Sequence, residues 1–138
     1  MELNYNDLPK TENFEEEGIY ILEITDIAQK VTTNGHTTFE FSYNIVGKDL
    51  EINYDNCILM NSDGSRNKFG PKKLRAIIDA LKLEVTNINI DIMKELAVGG
   101  RLKAKVVKGN RGYPETSFSD FYPLDSNMEA LNEEAKNK

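Results

Sequence analysis

The chain has 138 residues, 39% hydrophobic and 29% charged, with a net charge of -6, which fits one globular domain with a core of its own. Its one cysteine, Cys57, excludes an intramolecular disulfide, and with His36 as the one histidine no zinc-ligand spacing and no cofactor motif exists. No apolar run approaches the roughly 18 residues of a membrane helix, and Met-Glu-Leu-Asn-Tyr-Asn lacks the basic and apolar parts of a signal peptide, so the expectation is a cytoplasmic protein without a membrane partner.

Residues 1–17 read as an irregular lead-in. Gly18 to Ala28 form a strand rich in β-branched residues, with Tyr20, Leu22 and Ile24 on one face; Ile19 and Ile21 break the alternation, as a strand covered on both faces or bent by a bulge at Asp26 would allow. Thr32-Thr-Asn-Gly35 predicts a tight hairpin. The return strand alternates most clearly, with Phe39, Phe41, Tyr43 and Ile45 facing the core. After a turn at Val46-Gly-Lys-Asp49, the set Leu50, Ile52, Tyr54 and Ile58 predicts a third strand. A polar loop, 61–70, leads to Pro71 at a first helical position. Leu74, Ile77, Ile78 and Leu81 then give one apolar stripe, with Lys72, Lys73, Arg75, Asp79 and Lys82 assigned to water. Residues 84–98 are ambiguous, with one helical turn conceivable at Ile92–Ala97 before Gly99-Gly100.

In the fourth strand Leu102, Ala104 and Val106 alternate with Arg101, Lys103 and Lys105. The turn Lys108-Gly-Asn-Arg-Gly-Tyr-Pro114 leaves Lys108, Arg111 and Tyr113 on a loop tip before a fifth strand, Thr116–Leu124. Parity does not say whether Phe118 or Phe121 faces out. The segment 125–138 predicts an acidic, flexible tail with little to bury. The expected fold is thus mainly β, a single domain over 1–124: a five-stranded barrel of the oligonucleotide-binding (OB) type, β-β-β-α-β-β, with one helix between strands three and four. Such barrels hold nucleic acid with the loops between strands one and two and between four and five, here Lys30–His36 and Lys108–Tyr113.

The acidic pI of about 4.9 argues at first against nucleic acid, but the charge is unevenly distributed. Residues 1–26 carry eight acids against Lys10, whereas 64–75 (Arg66, Lys68, Lys72, Lys73 and Arg75) and 99–113 each carry five cations and no acid. Two basic islands describe a directional surface. The bland reading makes each a solvated face, and Tyr113 before Pro114 a hydrophobic pin for its turn; a Tyr on a Gly-flanked loop beside cations is equally placed to stack on a base next to phosphates. The candidate nucleic-acid contacts are Lys30, His36, Arg66, Lys68, Lys72, Lys73, Arg101, Lys103, Lys105, Lys108, Arg111 and Tyr113. Asp49, Glu51 and Asp55 alternate along one strand face, as a solvated face does, and the basic strand lacks the acid a nuclease centre would place beside its lysines; no nucleotide-hydrolase loop occurs, so no catalytic residue is assigned.

The chain resembles the small single-stranded-DNA-binding proteins of tailed-phage replication and recombination modules. The resemblance rests on Glu-Glu-Gly-Ile-Tyr-Ile-Leu-Glu-Ile (16–24), the Thr-Asn-Gly turn before Phe39-Glu-Phe41, the helix Lys73-Leu-Arg-Ala-Ile-Ile-Asp-Ala-Leu81, the strand Gly99-Gly-Arg-Leu-Lys-Ala-Lys-Val-Val107 and Asp120-Phe-Tyr-Pro123, and spans most of 14–124. It implies a non-enzymatic protein of the bacterial host cytoplasm that protects single-stranded DNA, with phage replication or recombination proteins and self-association as further partners. The tail ends in Lys-Asn-Lys instead of the acidic, apolar-tipped tail by which many such proteins recruit partners. The rival expectation is a protein-interaction module whose acidic segments 1–26 and 125–138 contact a basic replication enzyme or host factor. Binding of an oligo-dT at two salt concentrations separates the two.

Overall fold

The structure is a computed structural model and describes residues 1–8, 14 and 16–127. A short 3-10 turn at Tyr5–Asp7 precedes β1 (Gly18–Val31), β2 (Thr37–Ile45), β3 (Glu51–Met60), α1 (Gly70–Ala80), α2 (Ile90–Ala97), β4 (Arg101–Lys108) and β5 (Pro114–Tyr122). The Thr32–Gly35 turn closes through Gly35 N–H donating to Thr32 O at 2.9 Å, with Gly35 at φ +86, a conformation that favours glycine. All ladders are antiparallel and the sheet order is β3-β2-β1-β4-β5.

β1 serves two neighbours. Its first part pairs with β4 from Gly18↔Val106 to Glu23↔Arg101, and its later part with β2 from Leu22↔Ile45 to Val31↔Thr37. A register shift between Ile24 and Asp26 inserts Thr25 as an extra residue. A bulge of this kind bends a strand and resets its faces, which is why Ile24 and Ile27, three apart, are both buried. The sheet curls until β3 and β5 approach each other, and α1 packs against both. The result is a mainly β, barrel-like fold with an open seam, since no ladder joins β3 to β5 among the described strands.

Phe39, Phe41, Tyr43 and Ile45 all face the core, as their alternation predicts, together with Leu22 and Leu102. On α1, Leu74, Ile77 and Ile78 are buried. Gly70 brings the start of α1 hard against β3: a Cβ there would lie 1.7 Å from Ile58 O. The lead-in is anchored at Phe14, which is buried and meets Tyr20 edge-on with ring centroids 5.7 Å apart, and at Glu17, whose Oε2 accepts from Lys108 N–H at 2.6 Å.

Several expectations need correction. Two α-helices, not one, lie between β3 and β4. α2 is capped by the Asn89 side chain, which accepts from Ile92 N–H at 2.9 Å, but it buries only Met93 and Ala97, so its apolar stripe is too thin to read. Tyr54 does not share the inward face of Ile52. Register runs Tyr43↔Ile52 and Phe41↔Asp55, so Asn53 and Tyr54 together oppose Ser42, and this bulge exchanges the faces of β3 beyond it. Asp55 and Cys57 then turn inward and Tyr54 points out, 74% exposed at φ 61. Lys73, assigned to water, is 7% exposed. It lies four residues before Ile77, on the flank of the apolar stripe.

Of the expected tail, residues 128–138 lie outside the described residues. Asp125 is held by Lys82 Nζ at 2.7 Å, and the backbone oxygen of Ser126 accepts from Lys103 Nζ. No described helix is long and apolar enough to cross a membrane.

Candidate nucleic-acid interface

β4 places Leu102, Ala104 and Val106 in the core and sends Arg101, Lys103 and Lys105 to the other face. These three cations are not equivalent. Arg101 Nε donates to Glu23 Oε1 at 3.0 Å. Lys103 is 9% exposed and tied to Ser126 O. Lys105 makes no ion pair among the described residues and is half-buried. The strand ends at the turn carrying Lys108 and Arg111, both exposed and without an ion pair among the described residues. The turn is closed by Gly109 N–H to Tyr113 O at 2.8 Å and by Gly112 N–H to Gly109 O at 2.9 Å, and it holds Tyr113 outward, 68% exposed.

The loop between β1 and β2 offers less free charge. Lys30 Nζ is 2.9 Å from Glu40 Oε1, and the hydrogen bond to that carboxylate raises the lysine above its ordinary pKa. His36 is half-buried and its Nδ1 accepts from Ser62 N–H at 3.0 Å, so the ring fastens this hairpin to the loop after β3. That loop carries the other basic island. Arg66, Lys68 and Lys72 are exposed and form no ion pair among the described residues. Lys73 is different: it pairs with Asp55 Oδ1, whose Oδ2 accepts from Tyr43 O–H at 2.8 Å. A charge consumed in a buried network of this kind cannot also neutralise a phosphate.

Exposed aromatics border the same cations. Phe69, at the N-cap of α1, and Phe118, on β5, meet edge-on with ring centroids 6.3 Å apart. Phe121 is buried and Phe118 exposed, which settles the parity question. Along the other end of the seam Tyr54 and Tyr113 line one cleft with Glu51, Asn53, Pro114 and Glu115. The two ends thus differ: Glu51 and Glu115 line the cleft of the tyrosines, with Lys108 and Arg111 on the adjoining turn, whereas Lys68 directly precedes Phe69.

Burial pushes the Cys57 thiol up to about 12, the opposite of an activated nucleophile. Among the described residues no group of three or more His, Cys, Asp or Glu side chains is placed to hold a metal ion.

A family model described as Protein of unknown function (DUF669) matches residues 1–132. The chain belongs to the DUF669 family. No curated protein matches it.

In this DUF669 member the structure separates twelve candidate contacts that the sequence ranked together. Arg66, Lys68, Lys72, Lys105, Lys108 and Arg111 have no ion-pair partner among the described residues; Lys30 and Arg101 share their charge with surface carboxylates, and Lys73 and Lys103 are withdrawn from water. Tyr54 and Phe69 escaped sequence reasoning. A hint for Phe69 was present in its position between Lys68 and the Gly70-Pro71 helix start, where no apolar partner lies three or four residues ahead on the buried stripe.

Proposed function

We propose that this DUF669 protein binds single-stranded DNA without catalysis, as a sequence-tolerant component of phage replication or recombination in the cytoplasm of a bacterial host. The observation that carries the reading is the set of six cations, without ion pairs among the described residues, on the two sides of β5 and next to exposed aromatic rings, in a chain of net charge -6. Exposed or half-buried cations that no described carboxylate pairs present a phosphate-attracting surface, and aromatics beside them supply faces on which unstacked bases rest. The sheet order β3-β2-β1-β4-β5, the approach of β3 to β5 and the helices between β3 and β4 support assignment of the barrel to the OB type.

One observation favours the rival reading of a protein-interaction module. Glu51 and Glu115 share the cleft with Tyr54 and Tyr113, and this chemistry suits a basic side chain better than a phosphate. Fluorescence anisotropy of labelled oligo-dT decides between them. Single strands are expected to bind more tightly than duplex, with affinity falling as salt rises. Equal affinity for both forms would indicate bare charge attraction, and no binding at low salt would reject the assignment in favour of the protein partner.

A further inference from the structure

β5 departs from its ladder in one place. Val106 pairs with Thr116 and Ala104 with Phe121, so residues 117–120 bulge out opposite Lys105 alone. The bulge is closed on itself by Ser117 Oγ donating to Asp120 Oδ2 at 2.9 Å, and Tyr122 O–H also donates to Asp120 at 3.3 Å. Its effect is to carry Phe118 away from the core, which takes Phe121 instead, and to bring its ring to Phe69. Two phenylalanines in mutual contact, 61% and 47% exposed, form an apolar patch that the barrel does not use.

Its surroundings select an occupant. Lys68 adjoins Phe69 in the chain, Lys72 lies one turn along α1, and Arg66 is bridged to the end of β3 at Met60. Segment 64–75 has five cations and no acid, and the first turn of α1 contains no carboxylate to offset the positive end of the helix dipole. The one carboxylate of the bulge, Asp120, is engaged by two hydroxyls. A basic or acid-free apolar peptide would gain nothing from this rim. An unpaired nucleobase, whose backbone brings a phosphate to either side, satisfies both the rings and the cations.

We propose that Phe69 and Phe118 are the principal base-stacking platform, with Arg66, Lys68 and Lys72 holding the flanking phosphates, ahead of the acid-lined cleft at Tyr113. The platform rests on the single-strand reading. Its test compares oligo-dT with an abasic oligonucleotide of equal length, which keeps the phosphates and lacks the bases. The double variant Phe69→Ala/Phe118→Ala is expected to lose roughly tenfold in affinity for oligo-dT and less than about twofold for the abasic strand. Phe69→Leu/Phe118→Leu, which keeps an apolar contact, should retain the melting temperature yet show the same selective loss. Because the chain has no tryptophan, Phe118→Trp supplies a single reporter whose emission oligo-dT should quench and the abasic strand should not. If the wild type binds oligo-dT and the alanine pair binds it equally well, the platform is wrong while the single-strand reading stands. An equal loss on both strands, or loss only of a concentration-dependent dimer, overturns it too. A wild type that binds no oligonucleotide removes both.

Discussion

Lys73 and Asp55 are each 9% exposed at the side chain and joined to Tyr43 through the second carboxylate oxygen. Removing one partner of a buried pair leaves an uncompensated charge, whereas replacing both with apolar groups of similar volume removes the desolvation cost along with the attraction. Asp55→Ala is therefore expected to lower stability by about 3–5 kcal/mol, and Asp55→Leu/Lys73→Met to recover part of that loss, since the buried Tyr43 hydroxyl still lacks its acceptor, measured by urea unfolding. A double variant destabilised by the sum of the two single changes would show that the two residues do not act as a pair. The double change should leave the salt dependence of oligonucleotide binding unaltered, because the charge it removes from Lys73 is already paired with Asp55 in the wild type. Its neighbour Lys72 behaves oppositely: it is exposed, and Lys72→Ala is expected to change stability by no more than about 0.5 kcal/mol.

At the scale of the elements, bulges decide which aromatics reach the surface. Tyr54 sits at φ 61 inside β3, a left-handed conformation that costs a residue with a Cβ roughly 1–2 kcal/mol and costs glycine little. Tyr54→Gly should leave urea stability at or above the wild-type value, and Tyr54→Val, β-branched and worse at positive φ, should reduce it; a less stable glycine variant would mean that the exposed ring contributes more to the fold than its conformation costs. The same bulges mark the limit of what was legible in the sequence. Strand alternation in 39–45 and the stripe Leu74, Ile77, Ile78 follow from the periods of regular elements and are read directly. The turns at Gly35 and Gly112 follow from residues that accept positive φ. The β1 bulge announces itself at Asp26, ahead of which Ile19 and Ile21 already break the alternation, but the β3 bulge has no such signature: it exchanges the faces of β3 after Ile52, and so reverses the expected placement of Tyr54, Asp55 and Cys57. The burial of Lys73 follows from that reversal, since its partner reaches the interior only through it. Lys103 was unreadable for another reason, because what covers it, Ser126, lies 23 residues away in a segment with little to bury.

For the whole molecule the distribution of free charge matters more than its sum. Net charge is -6, yet Arg66, Lys68 and Lys72 stand on one side of β5 and Lys105, Lys108 and Arg111 on the other, each without an ion pair among the described residues. If a single strand crosses both sides, each cation that neutralises a phosphate releases counterions and adds about 0.7 to the slope of log affinity against log salt. The triple change Arg66→Ala/Lys68→Ala/Lys72→Ala should make that slope shallower by about 2, and Lys105→Ala/Lys108→Ala/Arg111→Ala by a similar amount. The pair Lys30→Ala/Arg101→Ala is the control. Those side chains already face Glu40 and Glu23 at 2.9 and 3.0 Å, so removing them also frees two carboxylates and should change affinity with a smaller change in slope. A slope that responds to only one triple would confine the strand to that side of β5. If the control pair carried the full effect and neither triple any, phosphates would have to displace surface ion pairs in preference to occupying free cations, and the proposed path of the strand would be wrong.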